Sequence, residues 1–310
     1  MRAVEWVDEY LITKNRKVYT KNQLNIPGIA TLGFYHTREA TDPLVHHYHR
    51  DCIEIHFLIK GCARFAAEDK FFTLTGGDIF LTPTNLPHST GNIPIQAYTV
   101  YWVQINLNDK PFLFLTEGWA NELKTGLAAQ KTGIVHRSVS SCKLLDTVFE
   151  QITSGSQNKQ YQGLSLFIML LHEISDNKKF DEKKESDEHL PSNINDAISW
   201  INEHINEKID LEDVAKAAHS SLSHFKSQFY KSVGISPGTF INMKKIERAE
   251  ELLLSGKSAT QVSELLGFSS GNYFSSVFKK FTLMSPSEYA NKFCKNKPDD
   301  QPSLLLIPKK

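Results

Sequence analysis

The chain has 310 residues, 40% of them hydrophobic and 23% charged, which is the composition of an ordinary globular protein. This length accommodates two domains of about 150 residues each. Lys and Arg together number 35, and so do Asp and Glu. The balance excludes a histone-like protein that is held to DNA by a large positive field, so any binding of nucleic acid must be local.

Neither a membrane span nor an export signal is expected. No run of the sequence approaches the roughly 18 apolar residues of a transmembrane helix. The opening segment, MRAVEWVDEYLITKNRK, carries charges throughout and lacks the apolar core of a signal peptide. The four cysteines form no CxxC pair, which favours a reduced compartment. We therefore expect a cytoplasmic protein without membrane contact.

Residues 28–107 have the pattern of antiparallel β structure. Short segments rich in β-branched and aromatic residues alternate with turn residues such as Gly61, Pro83 and Pro87. Strands are predicted at 53–59, 64–67, 71–74, 78–82 and 98–107. Many short strands at close spacing predict a sandwich or a barrel.

Apolar residues then recur at helical spacing, which predicts helices over 139–152 and 164–175. Their wide apolar faces suit either a dimerising hairpin or a cover for the barrel. Residues 177–191 are charged and nearly free of apolar side chains, which predicts an interdomain linker. The domains are therefore placed at 1–178 and 192–297, with the linker at 179–191 and a polar tail at 298–310.

The last third of the chain contains an internal repeat, 211–240 and 259–289, whose equivalent residues lie 48 or 49 positions apart. Each copy reads as a short helix, a turn, a second helix and a Ser-Pro stop. Ser221 and Ser269 stand where helix N-caps are expected. In each second helix two phenylalanines recur four residues apart, so they are expected on one buried face: Phe225 with Phe229 and Phe274 with Phe278.

The opposite faces of the two second helices carry lysines, no acidic residue and small hydrogen-bonding side chains. A helix that enters the major groove needs slim polar groups for base edges and cations for flanking phosphates. Two such helices in tandem can read successive stretches of the groove. The repeat therefore predicts binding to double-stranded operator DNA.

This region closely resembles the tandem helix-turn-helix domain of the AraC/XylS family of bacterial transcription regulators. The resemblance is carried by Leu211-x-x-Val214-Ala215, Phe225-x-x-x-Phe229, Gly234-Ile-Ser236-Pro237, Arg248-Ala249-x-x-Leu252-Leu253, Gly267-Phe268-Ser269-Ser270-x-x-Tyr273-Phe274-x-x-x-Phe278-Lys279-Lys280 and Ser285-Pro286-x-x-Tyr289. Two positions depart from the pattern, since Leu283 replaces a turn glycine and Ser263 a small alanine. The resemblance and the helix faces imply these DNA contacts: Ser223, Lys226, Ser227, Asn272, Ser275, Ser276 and Lys279.

The N-terminal half contains His47-x-His49 with Glu54 five residues further on, and later Gly77-x5-Pro83-x4-His88-x3-Asn92. Together these segments resemble the two signature motifs of the cupin barrel, although Asn85 occupies a glycine position. The resemblance implies that His47, His49, Glu54 and His88 converge. Imidazoles and a carboxylate suit divalent Zn, Fe, Ni or Mn. Three roles remain open, which are a metal site, an organic effector site and barrel packing.

Tyr98, Trp102 and Gln104 share one face of the last long predicted strand and are expected to line the barrel. An aromatic ring beside hydrogen-bonding groups suits a sugar, so Trp102 and Gln104 join the histidine motif as predicted effector contacts.

The expected fold class is α+β with two domains, a cupin-like barrel with a helical hairpin and an all-α tandem helix-turn-helix. The expected function is a dimeric transcription regulator without catalytic residues or a required cofactor, controlled by a small metabolite such as a sugar. If it is an activator, RNA polymerase is a further partner. The alternatives are a metal sensor or metal-dependent cupin enzyme fused to a DNA-binding domain, and an architectural DNA protein without effector.

Overall fold

In the computed structural model, the described residues are 3–38, 40–91, 94–95, 98–135, 143–176 and 190–294. The chain divides into two compact units, the first made of residues 1–192 and 228–235 and the second of residues 193–227 and 236–310. The predicted tail and nearly all of the predicted linker lie outside the described residues, so the domain limits stay predictions.

The first unit is a curled β structure. Its strands are β1 (Val4–Glu5), β2 (Leu11–Ile12), β3 (Arg16–Thr20), β4 (Ile29–His36), β5 (His47–Tyr48), β6 (Cys52–Ala67), β7 (Lys70–Thr75), β8 (Ile79–Thr82), β9 (His88–Ser89), β10 (Tyr98–Asn106) and β11 (Gly133–Val135). The main path of neighbouring strands is β1-β5-β9-β6-β10-β4-β3-β2, while β7 and β8 also pair with β6. All pairs are antiparallel except β1 with β5.

Strand β6 corrects the prediction of two strands at 53–59 and 64–67. The strand runs unbroken through Gly61, whose φ of +91° bends the backbone without ending the pairing. Its first part pairs with β10 and β8, and its last part pairs with β7 and β9. The glycine therefore marks a bend at which the strand passes from one half of the curled sheet to the other.

The helices of the first unit are α1 (Lys21–Leu24), α2 (Glu117–Ala128), α3 (Lys143–Ile152) and α4 (Gln157–Ser175). Helix α4 starts earlier than the predicted 164 because the polar first turn, which lacks the apolar periodicity, follows the N-cap position at Ser156. The predicted start of α3 at 139 falls outside the described residues. Phe149 and Phe167 pack with Phe57 and Tyr101 in one buried cluster. The helical pair therefore covers a face of the sheet, and its role in dimerisation stays a prediction.

Side chains along β6 and β10 point alternately to the helix-covered outer face of the sheet and to the barrel interior. Phe57 and Tyr101 belong to the outer cluster, whereas Leu58 and Trp102 belong to an inner cluster with Phe65 and other aromatic rings. A Cβ atom on Gly33 would stand 2.2 Å from the Trp102 indole, so this glycine gives the indole its room. Polar side chains at the same alternate positions extend the inner face toward the candidate site.

The C-terminal helices, which we call the helical unit, are α5 (Ser192–Glu203), α6 (Leu211–Ala217), α7 (Leu222–Val233), α8 (Pro237–Leu254), α9 (Ala259–Leu265), α10 (Gly271–Thr282) and α11 (Pro286–Cys294). The four repeated phenylalanines are each 0% exposed, as the helical spacing predicts. The two-domain α+β fold class is thereby confirmed. Within the described residues, no helix is both long and apolar enough to cross a membrane.

Two details of the repeat differ from the sequence-based expectation. The N-cap of α10 is Ser270, whose hydroxyl accepts a hydrogen bond from the Tyr273 backbone N–H, and not Ser269 one residue earlier. Leu283 adopts a φ of +60° at the end of α10, where the first copy has Gly234 at +77°. The second turn thus keeps the left-handed geometry without a glycine, which is a strained choice for a branched side chain.

Candidate functional site

The predicted histidine motif forms a buried cluster, which we call the histidine cluster and define as His47, His49, Glu54 and His88. One ligand atom from each side chain lies within 4.8 Å of the others, and all four residues are buried. The register of the sheet brings them together, since His47 on β5 stands opposite His88 on β9. Glu54 enters from β6, opposite Gln104 on β10.

The backbone fixes one nitrogen of each imidazole. His47 Nδ1 lies 2.7 Å from the Val45 carbonyl oxygen, His49 Nδ1 lies 2.9 Å from that of Trp6, and His88 Nδ1 lies 3.0 Å from that of Leu86. A carbonyl oxygen only accepts, so each Nδ1 carries the hydrogen. In the neutral ring Nε2 then keeps its lone pair, which is the arrangement of metal-ligating histidines.

The Nε2 atoms of two rings face the carboxylate of Glu54. His88 Nε2 lies 2.8 Å from Oε2, and His49 Nε2 lies 3.2 Å from Oε1. Burial alone would raise the pKa of Glu54, but the nearby His56 and His49 rings and hydrogen bonds with His49 and His88 hold that pKa well below its usual range. A buried, ionised carboxylate needs a cation, and a lone pair on Nε2 cannot supply it. The cluster is therefore suited to an imidazolium proton or a metal ion.

The imidazoles respond differently to this environment. Burial lowers the pKa of His49, but the charge and the hydrogen bond of Glu54 outweigh burial, so the net pKa is raised. Burial lowers the pKa of His47 to about 4, with His88 adding to the effect. The contact with Glu54 therefore favours the protonated form of His49, whereas burial favours the neutral form of His47.

Trp102 and Gln104 lie next to the histidine cluster, and both donate hydrogen bonds to Asp8, which the sequence did not predict. Gln104 Nε2 donates to Glu54 Oε1 at 3.1 Å and to Asp8 Oδ2 at 2.9 Å, and Trp102 Nε1 donates to the same Asp8 oxygen at 3.2 Å. Asp8 belongs to a segment with no sequence motif, and 94 to 96 residues separate it from its partners. No local sequence signal identifies such a contact.

Two further polar side chains of the interior were also missed. His56 follows Glu54 by two positions on β6, and Thr82 on β8 stands opposite Glu54. The His56 Nδ1 and Thr82 Oγ1 atoms are buried, and neither has a hydrogen-bond partner within the part of the chain that the structure describes. Alternation along β6 is the signal that places His56 on the inner face.

The predicted DNA-contacting side chains lie on α7 and α10. All are exposed except Ser275, which is half-buried: Ser223, Lys226, Ser227, Asn272, Ser276 and Lys279. Sequence reasoning missed the large exposed side chains of the same helices, Tyr230 at 46% and Tyr273 at 47% exposed. Neither helix contains an acidic residue. Both therefore present polar and cationic faces.

Comparison with known families and proteins agrees with this organisation. A family model described as an AraC-like ligand binding domain matches residues 34–172, and a helix-turn-helix domain model matches residues 214–292. The chain belongs to the AraC family. The predicted family is thus confirmed, with the ligand-binding domain preceding the DNA-binding domain.

Two relatives match most of the chain. LumQ of Photobacterium leiognathi, a probable transcriptional regulator, is 26% identical over 254 residues, which are 81% of this chain and 94% of LumQ. The lactose operon transcription activator of Staphylococcus xylosus is 26% identical over 244 residues, which are 78% of this chain and 85% of that activator. A crystal structure of ToxT from Vibrio cholerae O395 is 14% identical, with a TM-score of 0.33 and coverage of 91% of this chain and 99% of ToxT.

This AraC-family protein is a DNA-binding transcription regulator with a ligand-binding domain. Its relatives are named as regulators of transcription, in agreement with the expectation that the chain is not an enzyme.

Proposed function

We propose that this AraC-family regulator binds a divalent metal ion at the histidine cluster and that occupancy of the barrel controls its affinity for operator DNA. The observation that carries the proposal is the set of three imidazoles whose Nδ1 atoms are tied to backbone carbonyls. Their Nε2 lone pairs share one buried volume with the carboxylate of Glu54. Metal-binding histidines in proteins are oriented in this way.

The dimensions and the charge of the cluster fit a first-row divalent ion. Ligand atoms about 2.1 Å from one ion lie at most about 4.2 Å apart, and those of the cluster lie within 4.8 Å. A small contraction would therefore be sufficient. The ion would supply positive charge beside Glu54 and would displace any proton that the imidazoles hold there.

A sugar remains the predicted organic effector. Trp102 and Gln104 are buried at the edge of the cluster, and both already donate hydrogen bonds to another part of the chain. An organic effector would exchange those bonds for its own. The unpartnered His56 Nδ1 and Thr82 Oγ1 atoms offer further hydrogen-bonding groups on the inner face.

For the DNA, α7 and α10 are proposed to enter successive major grooves. Ser223, Ser227, Asn272, Ser275 and Ser276 would read base edges. Lys226 would bind a phosphate or a guanine, and Lys279 would bind a phosphate. A homodimer would supply a second pair of these helices and raise the effective concentration. Dimerisation and contact with RNA polymerase stay predictions.

The test uses full-length protein and a DNA duplex that the wild type selects from a random-sequence library. Fluorescence anisotropy measures affinity after chelation and after addition of Zn²⁺, Ni²⁺ or Mn²⁺ separately. For the wild type we expect one metal to change the affinity by about 5- to 150-fold, the usual range of allosteric coupling. Glu54→Gln should abolish this change while still binding the duplex. Equal affinity with and without each metal would contradict the proposal.

A further inference from the structure

The N-terminal segment reaches into the barrel with a carboxylate. Strand β1 pairs in parallel with β5, and His49 Nδ1 contacts the Trp6 carbonyl oxygen. Asp8 follows, and its side chain is only 7% exposed although Val7 and Glu9 on either side are exposed. This part of the segment is therefore anchored by its backbone pairing and by one inward-pointing acidic side chain.

Four donors surround the Asp8 carboxylate. Oδ2 accepts from Trp102 Nε1 at 3.2 Å and from Gln104 Nε2 at 2.9 Å, and Oδ1 accepts from Trp6 Nε1 at 3.3 Å. A guanidinium nitrogen of Arg16 lies 3.8 Å from Oδ1. Trp6 belongs to the same segment as Asp8, whereas the Trp102 indole, the Gln104 amide and the Arg16 guanidinium lie on β10 and β3. These last three groups form a recognition site for an anion that accepts through two oxygens.

Asp8 leaves part of this site unused. The 3.8 Å separation from Arg16 is longer than a hydrogen bond. The Arg16 Nε atom is buried and has no hydrogen-bond partner among the described residues. The guanidinium carbon lies 5.5 Å from the centre of the Trp102 ring, so the cation is held over the site. A larger acid could reach a donor that the short Asp8 side chain does not.

We propose that the donors around Asp8 form the effector site and that Asp8 is an internal substitute for the carboxylate of a small organic acid. This inference deepens the proposed function, on which it rests, by naming the chemical class of the effector. A neutral hydroxyl group offers hydrogen bonds but no charge to match Arg16. A sugar acid combines the predicted sugar with the required carboxylate.

Binding of an acid in place of Asp8 would also affect the histidine cluster. Gln104 Nε2 donates to both Asp8 and Glu54, so the amide joins the two carboxylates. An acid that replaces Asp8 keeps this amide in place and releases the segment that begins at β1. The Trp6 carbonyl, which holds His49 Nδ1, belongs to that same segment.

Chemical rescue tests the proposal in the full-length protein under chelating conditions, where metal binding plays no part. Asp8→Ala empties the site of its internal acid, and acetate is the probe, titrated against chloride at constant ionic strength. We expect acetate to raise the thermal midpoint of Asp8→Ala in a saturable manner and to leave the wild type unchanged. Glu9→Ala removes a neighbouring exposed acid and is the matched control, which should resemble the wild type.

Further variants and a sugar-acid probe separate binding of a carboxylate at this site from a general effect on stability. Asp8→Asn preserves the side-chain size and should also gain from acetate, and Arg16→Met in the Asp8→Ala background should abolish the gain. Galacturonate should then stabilise Asp8→Ala more than galactose does. Equal effects of acetate and chloride on both Asp8 variants would overturn the proposal. If rescue occurs but metals leave DNA affinity unchanged, the acid site stands and the metal-controlled function fails.

Discussion

The barrel and the helical unit each bury a charged side chain, Glu54 and Lys245, and the two charges are stabilised by different kinds of partner. In the barrel, the carboxylate of Glu54 faces the Nε2 atoms of His49 and His88. In the helical unit, Lys245 is 4% exposed and donates hydrogen bonds to the backbone carbonyls of Glu207 and Leu266. Leu266 is the C-cap of α9, where the helix dipole favours a cation.

The two kinds of partner differ in whether they can exchange one cation for another. Backbone carbonyls neither titrate nor bind transition metals readily, so the partners of Lys245 stay the same, although burial lowers the pKa of the Lys245 ammonium itself to about 8. Imidazoles exchange a proton for a metal ion within the ordinary pH range. The buried charge of the barrel can therefore change its partner when conditions change, whereas that of the helical unit holds α8 and α9 in one arrangement.

The largest effect is expected in the apolar core of the helical unit. Phe274 on α10 is 0% exposed, so Phe274→Ala should lower the free energy of unfolding by about 3–5 kcal/mol. Tyr273 beside it is 47% exposed, and Tyr273→Ala should cost much less. Chemical denaturation measures both values. Similar costs for the two variants would mean that the buried face of α10 is wrongly assigned.

Lys245→Met tests how much the hydrogen bonds of Lys245 with backbone carbonyls stabilise the helical unit. The variant keeps the length of the side chain but leaves the carbonyls of Glu207 and the buried Leu266 without their donor, so stability should fall by about 1–3 kcal/mol. The loss should be equal with and without added metal. A metal-dependent loss would break the distinction between the two buried charges, and so would a variant as stable as the wild type.

Lys226→Ala probes the DNA-binding face without touching either buried charge. Lys226 is exposed on α7, and its removal should weaken binding to the selected duplex by about 1–3 kcal/mol. Lys257→Ala, at an exposed position between α8 and α9, should bind as the wild type does. Anisotropy at one fixed salt concentration compares them. Equal binding by the two variants would remove Lys226 from the proposed contacts.

The smallest effect distinguishes two adjacent serines. Ser270→Ala removes the N-cap of α10 and should cost about 1 kcal/mol of stability. Ser269→Ala should cost under about 0.5 kcal/mol, as for an ordinary surface change. The reverse order in thermal denaturation would favour the cap predicted from the sequence over the one in the structure.

The sequence predicts the helical unit better than it predicts the barrel, because helix periodicity and Ser-Pro stops are local signals. The burial of Phe225 and Phe274 follows from spacing alone, whereas the cap at Ser270 required the backbone angles of the turn. In the barrel, the resemblance to the cupin motifs implied the four members of the histidine cluster. Asp8 could not be predicted because a contact across more than 90 residues depends on the complete sheet.

The central claim is that the barrel's buried carboxylate binds an exchangeable cation. Elemental mass spectrometry of tag-free protein tests it most directly, on the wild type, His47→Ala and His46→Ala. His46 is exposed beside the buried His47 and serves as the matched control. We expect near-stoichiometric divalent metal in the wild type and His46→Ala, and its loss in His47→Ala. Wild-type protein that stays metal-free after incubation with Zn²⁺, Ni²⁺ or Mn²⁺ would contradict the claim.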